Sequence, residues 1–208
     1  MVCTRRQLRS IVCCLAGWLA VAMADKPVMP ATYDEAELKK QYEGFLLELN
    51  SDSVATDYPK TIRDLLSGDP ARQETATMVL GQTGELGTVP WLAKLLDAKD
   101  DRLRTMAASA IETVISSNAL KRRDQSQPDR AVLRPRGPGD PDLHAFAWLA
   151  LRMFRMDGDA STCSYACTVA RYIEAREFGG ELRRCLQSKH PAVSRSARDA
   201  LEALDLSD

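Results

Sequence analysis

The amino-acid sequence predicts an all-α fold, an α-solenoid in which antiparallel helical hairpins stack into a superhelix. The first observation is an internal repeat: a pattern that begins at Asp69 returns 31 residues later at Asp100, then at Asp159, and after another 31 residues at His190. The second is the helical spacing of apolar residues within each copy, and the third is that no strand pattern is evident. Repeats of this kind are typical of units that bury their apolar faces against their neighbours.

The first helix of each copy has a small residue seven positions after the residue that opens it. The four small residues are Ala76, Ala107, Ala166 and Ala197. Apolar residues follow at positions ten and eleven, and spacings of three and four place all of these side chains on one helical face. Because a small side chain lets a neighbouring helix approach closely, this face is the predicted interface between successive copies.

A second helix completes each predicted hairpin. Residues 89–96 form the clearest example, with Pro90 in the first turn, where its missing N–H is not needed. The same pattern returns 90 residues later around Leu182 to Leu186, and residues 142–155 supply the second helix of the copy that begins at Asp100. Glycines at positions 81, 84 and 87 punctuate the turn between the two helices.

These two helices carry a family resemblance. The stretch from Gly68-Asp69-Pro70 to Gly84, followed by residues 89–96, resembles the short HEAT-like repeat of phycobilin-lyase-type and related bacterial proteins. Residues 190–201 resemble the same first helix. The match covers residues 57–116 well and 157–206 moderately, with departures at Arg72, Thr162 and Arg171. The resemblance implies stacked HEAT-like repeats, and it is specific to the fold but not to one function.

Residues 1–24 have the three parts of a secretory signal peptide. The basic start consists of Arg5, Arg6 and Arg9. A short apolar run from Ile11 to Ala22 follows, and Ala22-Met23-Ala24 places small residues before the cleavage point. The apolar run is shorter than the roughly 20 residues that span a bilayer, so we expect cleavage after Ala24 and no stable membrane span afterwards. The adjacent arginines also fit a twin-arginine signal. Either export route predicts a periplasmic or secreted protein.

The mature chain divides into two predicted regions. Residues 25–56 form an N-terminal capping helix and linker, in which Thr32 and Glu35 make a capping box for a helix that runs to about Leu49. Residues 57–208 form the HEAT-like repeat domain, which begins with a helix from Pro59 to Leu66. We expect these first helices to cap the open end of the stack, because a terminal apolar face would otherwise meet water.

An insertion at about residues 117–141 interrupts the hairpin that begins at Asp100. Its prolines and charges predict a mobile loop, and its basic residues are Lys121, Arg122, Arg123, Arg130, Arg134 and Arg136. One interpretation is an arm that recruits an acidic partner or an anionic membrane surface. The other is a tolerated, solvated insertion, since long surface loops cost little closure entropy.

The mature chain keeps three cysteines, and Cys167 with Cys185 is the candidate disulfide, because these residues lie on the two helices of one hairpin. A bridge from Cys163 to Cys167, or three thiols, are the alternatives. The two histidines, His144 and His190, have no metal-ligand spacing, and no His-Glu pair occurs. We therefore expect no metal, no cofactor and no catalytic residues.

Charge and repeats together predict a binding function. Without residues 1–24 the chain has 25 basic and 29 acidic side chains, a net charge of −4, which argues against nucleic-acid binding. We expect a non-catalytic protein-binding or scaffolding module outside the cytoplasm, or a subunit of a larger envelope complex, with Trp91, Trp148 and Tyr165 as surface anchors or core residues. The family resemblance implies an alternative, a bilin or chromophore lyase-like protein or chaperone, although bilin attachment takes place inside the cell.

Overall fold

A computed structural model of the chain describes residues 33–49, 51–121, 141–156 and 160–207, all within one unit, Ala31–Asp208. The regular structure of these ranges is entirely helical and contains no β-strand. The predicted all-α class is confirmed. The predicted signal peptide, Thr32 and most of the basic insertion lie outside the described residues.

Ten α-helices occur in the described ranges. They are α1 (Glu35–Glu48), α2 (Ser51–Asp57), α3 (Pro59–Leu65), α4 (Pro70–Thr83), α5 (Val89–Ala93), α6 (Asp101–Leu120), α7 (Ala147–Phe154), α8 (Ala160–Tyr172), α9 (Gly179–Leu186) and α10 (Pro191–Ala203). One short 3-10 turn precedes each of α5, α7 and α9, at Leu86–Thr88, Leu143–Phe146 and Arg176–Phe178, and another, Lys94–Asp97, follows α5. The three second helices therefore begin in the same way.

Side chains cap two of the helices where the repeat predicts them to start. An Asp69 carboxylate oxygen accepts hydrogen bonds from the amides of Ala71 and Arg72 at 3.0 and 3.4 Å. Asp100 does the same for the start of α6. Both caps satisfy amides that have no partner inside the helix. His190 makes no side-chain cap bond, and α10 starts there because Pro191 fits the first helical position.

The predicted first helices pack in sequence, α4 on α6, α6 on α8, and α8 on α10, and α3 packs on α4. The predicted alanines are buried at these contacts. Helices α4 and α6 approach closely at Gly81, where an added Cβ would lie 2.9 Å from the Cβ and 3.1 Å from the Cα of Ala110. Only a glycine permits this separation of α4 and α6. Val79 departs from the pattern, because it is 38% exposed.

Each second helix packs against the first helix of the following copy, α5 on α6, α7 on α8 and α9 on α10. Leu92, Leu149 and Leu182 occupy the centres of the three second helices and are fully buried. They belong to one connected apolar core that runs from α1 to α10. Burial of this surface is the main stabilising contribution to the fold.

Helix α6 continues to Leu120, past Ser117, where we expected the insertion to begin. The Asn118 side-chain amide donates to the carbonyl oxygens of Gly84 and Val114, both at 2.8 Å. Ala119 is also fully buried. These contacts hold the last turn of α6 against the turn after α4, so the interruption of the hairpin starts later than the composition indicated.

Candidate functional site

Helix α1 lies along α7 and the 3-10 turn that precedes it. Leu38 and Tyr42 on this helix are buried, and Phe45 is partly buried against the core. The contact is with the second helix of a central hairpin, which differs from the end-capping position that we expected for this segment. Helix α1 therefore covers part of α7 and of the turn that precedes it.

The start of α1 is fixed by Asp34, which accepts hydrogen bonds from the amides of Ala36 and Glu37 at 2.9 and 3.4 Å. The capping box expected at Thr32 and Glu35 is therefore wrong, since Glu35 is already the first helical residue. The sequence contains the correct signal as well, because Asp34 with Glu37 has the same spacing.

Aromatic packing holds α1 in place. The ring centroid of Phe45 lies 5.3 Å from that of Phe146 in an edge-to-face arrangement, and Tyr42 lies 6.3 Å from the same ring. Before the helix, Tyr33 makes a second edge-to-face contact with Phe178 at 5.2 Å. Such pairs contribute roughly 0.5–1.5 kcal/mol each beyond the area that they bury.

Two polar contacts accompany the aromatic packing, one at Tyr33 and one at the first residue of α1. The Tyr33 hydroxyl donates to Glu181 Oε1 at 2.7 Å, and Arg155 Nη2 lies 2.6 Å from Glu35 Oε2. Burial and then the bond to Glu181 raise the pKa of Tyr33 to about 12. The Arg155 guanidinium lowers the pKa of Glu35. We name Phe146, Arg155, Phe178 and Glu181 together the α1-binding surface.

A second cluster consists of the three cysteines of helices α8 and α9. Cys163 and Cys167 lie one turn apart on α8, and Cys185 on α9 hydrogen-bonds with both thiols. The bond with Cys163 lowers the pKa of the Cys185 thiol, but the bond with Cys167 and burial raise it, to about 12 overall. All three side chains are thiols in the structure. The predicted pair, Cys167 and Cys185, is brought together, and Cys163 joins it.

The cysteine cluster borders a pocket of about 510 Å³ between the ends of α7 and α9 and the starts of α8 and α10. Cys163 and Cys185 both line this pocket, beside Phe154, Arg184 and His190. Cys163 is partly exposed, whereas Cys167 and Cys185 are buried. Solvent therefore reaches the thiol cluster from the Cys163 side.

The other residues predicted to form sites are dispersed. Lys121 is exposed and donates to the Asn118 side chain at 3.0 Å, and the remaining five basic residues of the predicted loop lie outside the described ranges. The aromatic residues Trp91, Trp148 and Tyr165 are partly buried and pack against the core.

The His144 imidazole pairs with the Glu177 carboxylate. His144 Nε2 lies 2.9 Å from Glu177 Oε1. Burial raises the pKa of the Glu177 carboxyl, but the hydrogen bonds from His144 and from the backbone outweigh it, so the net shift is downward. The pair joins the turn before α7 to the turn before α9.

Within the part of the chain that the structure describes, no group of three or more His, Cys, Asp or Glu residues is arranged to hold a metal ion. Over the same residues, no helix combines the length and the apolar character that crossing a bilayer requires. Comparison with protein-family models and with curated protein sequences finds no match for this chain.

Proposed function

We propose that this protein is a non-catalytic binding module of the α-solenoid type, exported from the cytoplasm, which holds a helix of another protein on the surface of its second helices. The observation that carries the proposal is the position of α1. This helix lies on α7 in the manner of a bound peptide, with aromatic contacts from Tyr42 and Phe45 in its second half and an ion pair at its first residue. Helices bound in apolar grooves commonly use this mode of recognition.

The chemistry of the α1-binding surface defines the partner. Phe146 and Phe178 would accept aromatic side chains, Arg155 a carboxylate, and Glu181 a hydroxyl or another hydrogen-bond donor. The proposed partner is therefore an amphipathic helix with aromatic residues on one face and an acidic residue near its start. Helix α1 has this composition and competes with the partner from within the chain, where covalent linkage gives it a high effective concentration.

Weak anchoring of α1 supports this competition. Only Leu38 and Tyr42 of its residues are buried, and Leu47 is 90% exposed. The pair of Arg155 with Glu35 is half-exposed at both ends, so solvent screens it. A partner that makes the same aromatic contacts over a longer face would displace the helix without unfolding the rest of the core.

The export part of the proposal rests on the three-part pattern of residues 1–24 and is tested by cell fractionation. Chain that lacks residues 1–24, recovered outside the cytoplasm, supports export. Full-length chain recovered only from the cytoplasm contradicts it.

Affinity capture from the exported fraction tests binding, with Phe45→Ala as the variant that loosens α1. The matched control is Leu47→Ala, an apolar truncation on the same helix whose side chain is exposed. We expect Phe45→Ala to retain more of one specific partner than the unchanged chain does, and Leu47→Ala to retain the same amount as the unchanged chain. Equal capture by all three would contradict binding at the α1-binding surface.

The basic segment needs a separate variant, because it is the other predicted recognition element. A deletion of residues 122–140 leaves the Asn118 contacts of α6 intact. A milder variant replaces Arg122, Arg123, Arg130, Arg134 and Arg136 by Gln. A partner lost with both variants, but unaffected by Phe45→Ala, would move the binding site to the basic segment.

A further inference from the structure

We propose that Cys163 is a modification site for low-molecular-weight disulfides, and that Cys185 resolves the resulting mixed disulfide into an internal bridge between Cys163 and Cys185. The site is the pocket formed by the ends of α7 and α9 and the starts of α8 and α10. It takes a small disulfide such as oxidised glutathione, and its lining shares Arg155 with the α1-binding surface.

Access selects Cys163 as the thiol that reacts first. It is partly exposed and lines the pocket, whose volume of about 510 Å³ leaves room for a small thiol attached to its sulfur. Cys167 has no exposed surface, and Cys185 is only 6% exposed. Because exchange requires an in-line approach of the incoming disulfide to the attacking sulfur, the two buried thiols are shielded from the first step.

Contact selects Cys185 as the resolving thiol. It hydrogen-bonds with Cys163 across the α8–α9 hairpin and lines the same pocket. Cys167 also contacts Cys185, but it is fully buried and does not line the pocket. A mixed disulfide on Cys163 would therefore place its sulfur beside the Cys185 thiol without a rearrangement of either helix.

The two exchange steps balance without a further oxidant. In the first, the Cys163 thiolate attacks one sulfur of the small disulfide, an S–S bond forms to Cys163, and one small thiolate leaves. In the second, the Cys185 thiolate attacks the Cys163 sulfur, the internal S–S bond forms, and the second small thiolate leaves. The two cysteines lose two electrons and two protons, and the small disulfide is reduced to two thiols.

The second step is expected to be the slow one at neutral pH. Only the thiolate attacks, and the environment of Cys185 disfavours its ionisation. The groups around it are Cys163 and Cys167 on α8, Arg184 on its own helix, and Arg155 and His190 on the pocket wall. The rate of internal bridge formation should therefore rise about tenfold per pH unit from pH 7 to pH 9.

The test treats the full mature chain with oxidised glutathione and follows the products by mass spectrometry and peptide mapping. We expect the unchanged chain to gain one glutathione transiently on Cys163 and then to form the bridge from Cys163 to Cys185. Once the unchanged chain has formed its bridge, Cys185→Ser should still hold the mixed disulfide on Cys163, at least about tenfold above the amount left in the unchanged chain. Cys163→Ser should react slowly. Cys167→Ser is the matched control, which should gain glutathione on Cys163 and end with the same bridge from Cys163 to Cys185 as the unchanged chain.

Three results would overturn the proposal: glutathione on Cys167 or Cys185 in the unchanged chain, a final bridge between Cys167 and Cys185, or equal reactivity of all three sulfurs. Circular dichroism of each variant establishes that its helices are retained. Should a serine variant fail to fold, timed alkylation of the unchanged chain decides the first step, since Cys163 must be labelled before the other two thiols. Labelling of Cys167 or Cys185 before Cys163 contradicts the proposal that Cys163 is the accessible thiol.

Discussion

Substitution of Gly81 by alanine tests the close contact between α4 and α6. In an exposed helix interior this change stabilises by about 1 kcal/mol, because alanine has the higher helix propensity. At Gly81 the new Cβ would lie 2.9 Å from the Cβ of Ala110, which real Cβ atoms essentially never show, and 3.1 Å from its backbone Cα. Overpacking of this kind costs about 1–3 kcal/mol. The net expectation is a loss of roughly 0–2 kcal/mol.

The matched control is Gly44→Ala in α1, where an added Cβ meets nothing within 4 Å. This variant should gain about 1 kcal/mol from helix propensity. The two identical chemical changes should therefore differ by about 1–3 kcal/mol in free energy of unfolding, measured by urea denaturation with circular dichroism. A gain for Gly81→Ala as large as that for Gly44→Ala would refute the close approach of α4 and α6.

A double variant separates the contact from other effects of the substitution. Ala110→Gly removes the side-chain half of the clash, so its own cost should be smaller in the Gly81→Ala background than in the unchanged chain. We expect the cycle of single and double variants to give a coupling of about 1 kcal/mol in favour of the double variant. Strict additivity would mean that the cost of Gly81→Ala arises elsewhere.

Three further predictions concern other contacts. Asn118→Ala should lower the free energy of unfolding by about 1–3 kcal/mol in urea denaturation, because it leaves the Gly84 carbonyl without its donor, and no loss would contradict this role. Burial raises the pKa of Tyr42 to about 12, so the stability that its protonated hydroxyl contributes, at most about 3 kcal/mol, is complete below about pH 10 and lost as the pH rises through 12. A denaturation series in alkali should show this loss, and Tyr42→Phe should lack it. The pKa of Glu177 is lowered, so the stability that its carboxylate contributes beside His144 is present above about pH 4.5 and lost as the pH falls further. Glu177→Gln should reduce this loss of stability in acid, and an equal loss in the variant would contradict the role of the pair.

Local chemistry made the helix starts and the buried alanines predictable. Asp69 and Asp100 cap helices because a carboxylate satisfies free amides wherever a helix starts. The alanine at position seven of each copy is buried in all four first helices, as spacing alone predicted. The meeting of Cys167 and Cys185 followed from placing them on two helices of one hairpin.

The position of α1 had no local signal. Tyr33 and Glu181 are separated by 148 residues along the chain, and nothing in either stretch indicates the other. The aromatic residues Tyr42 and Phe45 equally suit the end of a stack or the surface of a second helix. Residue spacing along the chain also could not show that Cys163 joins the thiol cluster. This contact depends on the angle between α8 and α9, which the sequence spacing does not determine. Val79 is a local prediction that the structure does not support. Its position in the repeat predicted a buried side chain, but the neighbouring helices do not cover it fully and it is 38% exposed.

Hydrogen–deuterium exchange of the mature chain with and without its captured partner tests the central proposal most directly. Displacement of α1 predicts that the partner speeds amide exchange in residues 35–48 while α7 stays protected. Partner binding that leaves the exchange of α1 unchanged and slows exchange at another surface would contradict recognition at the α1-binding surface.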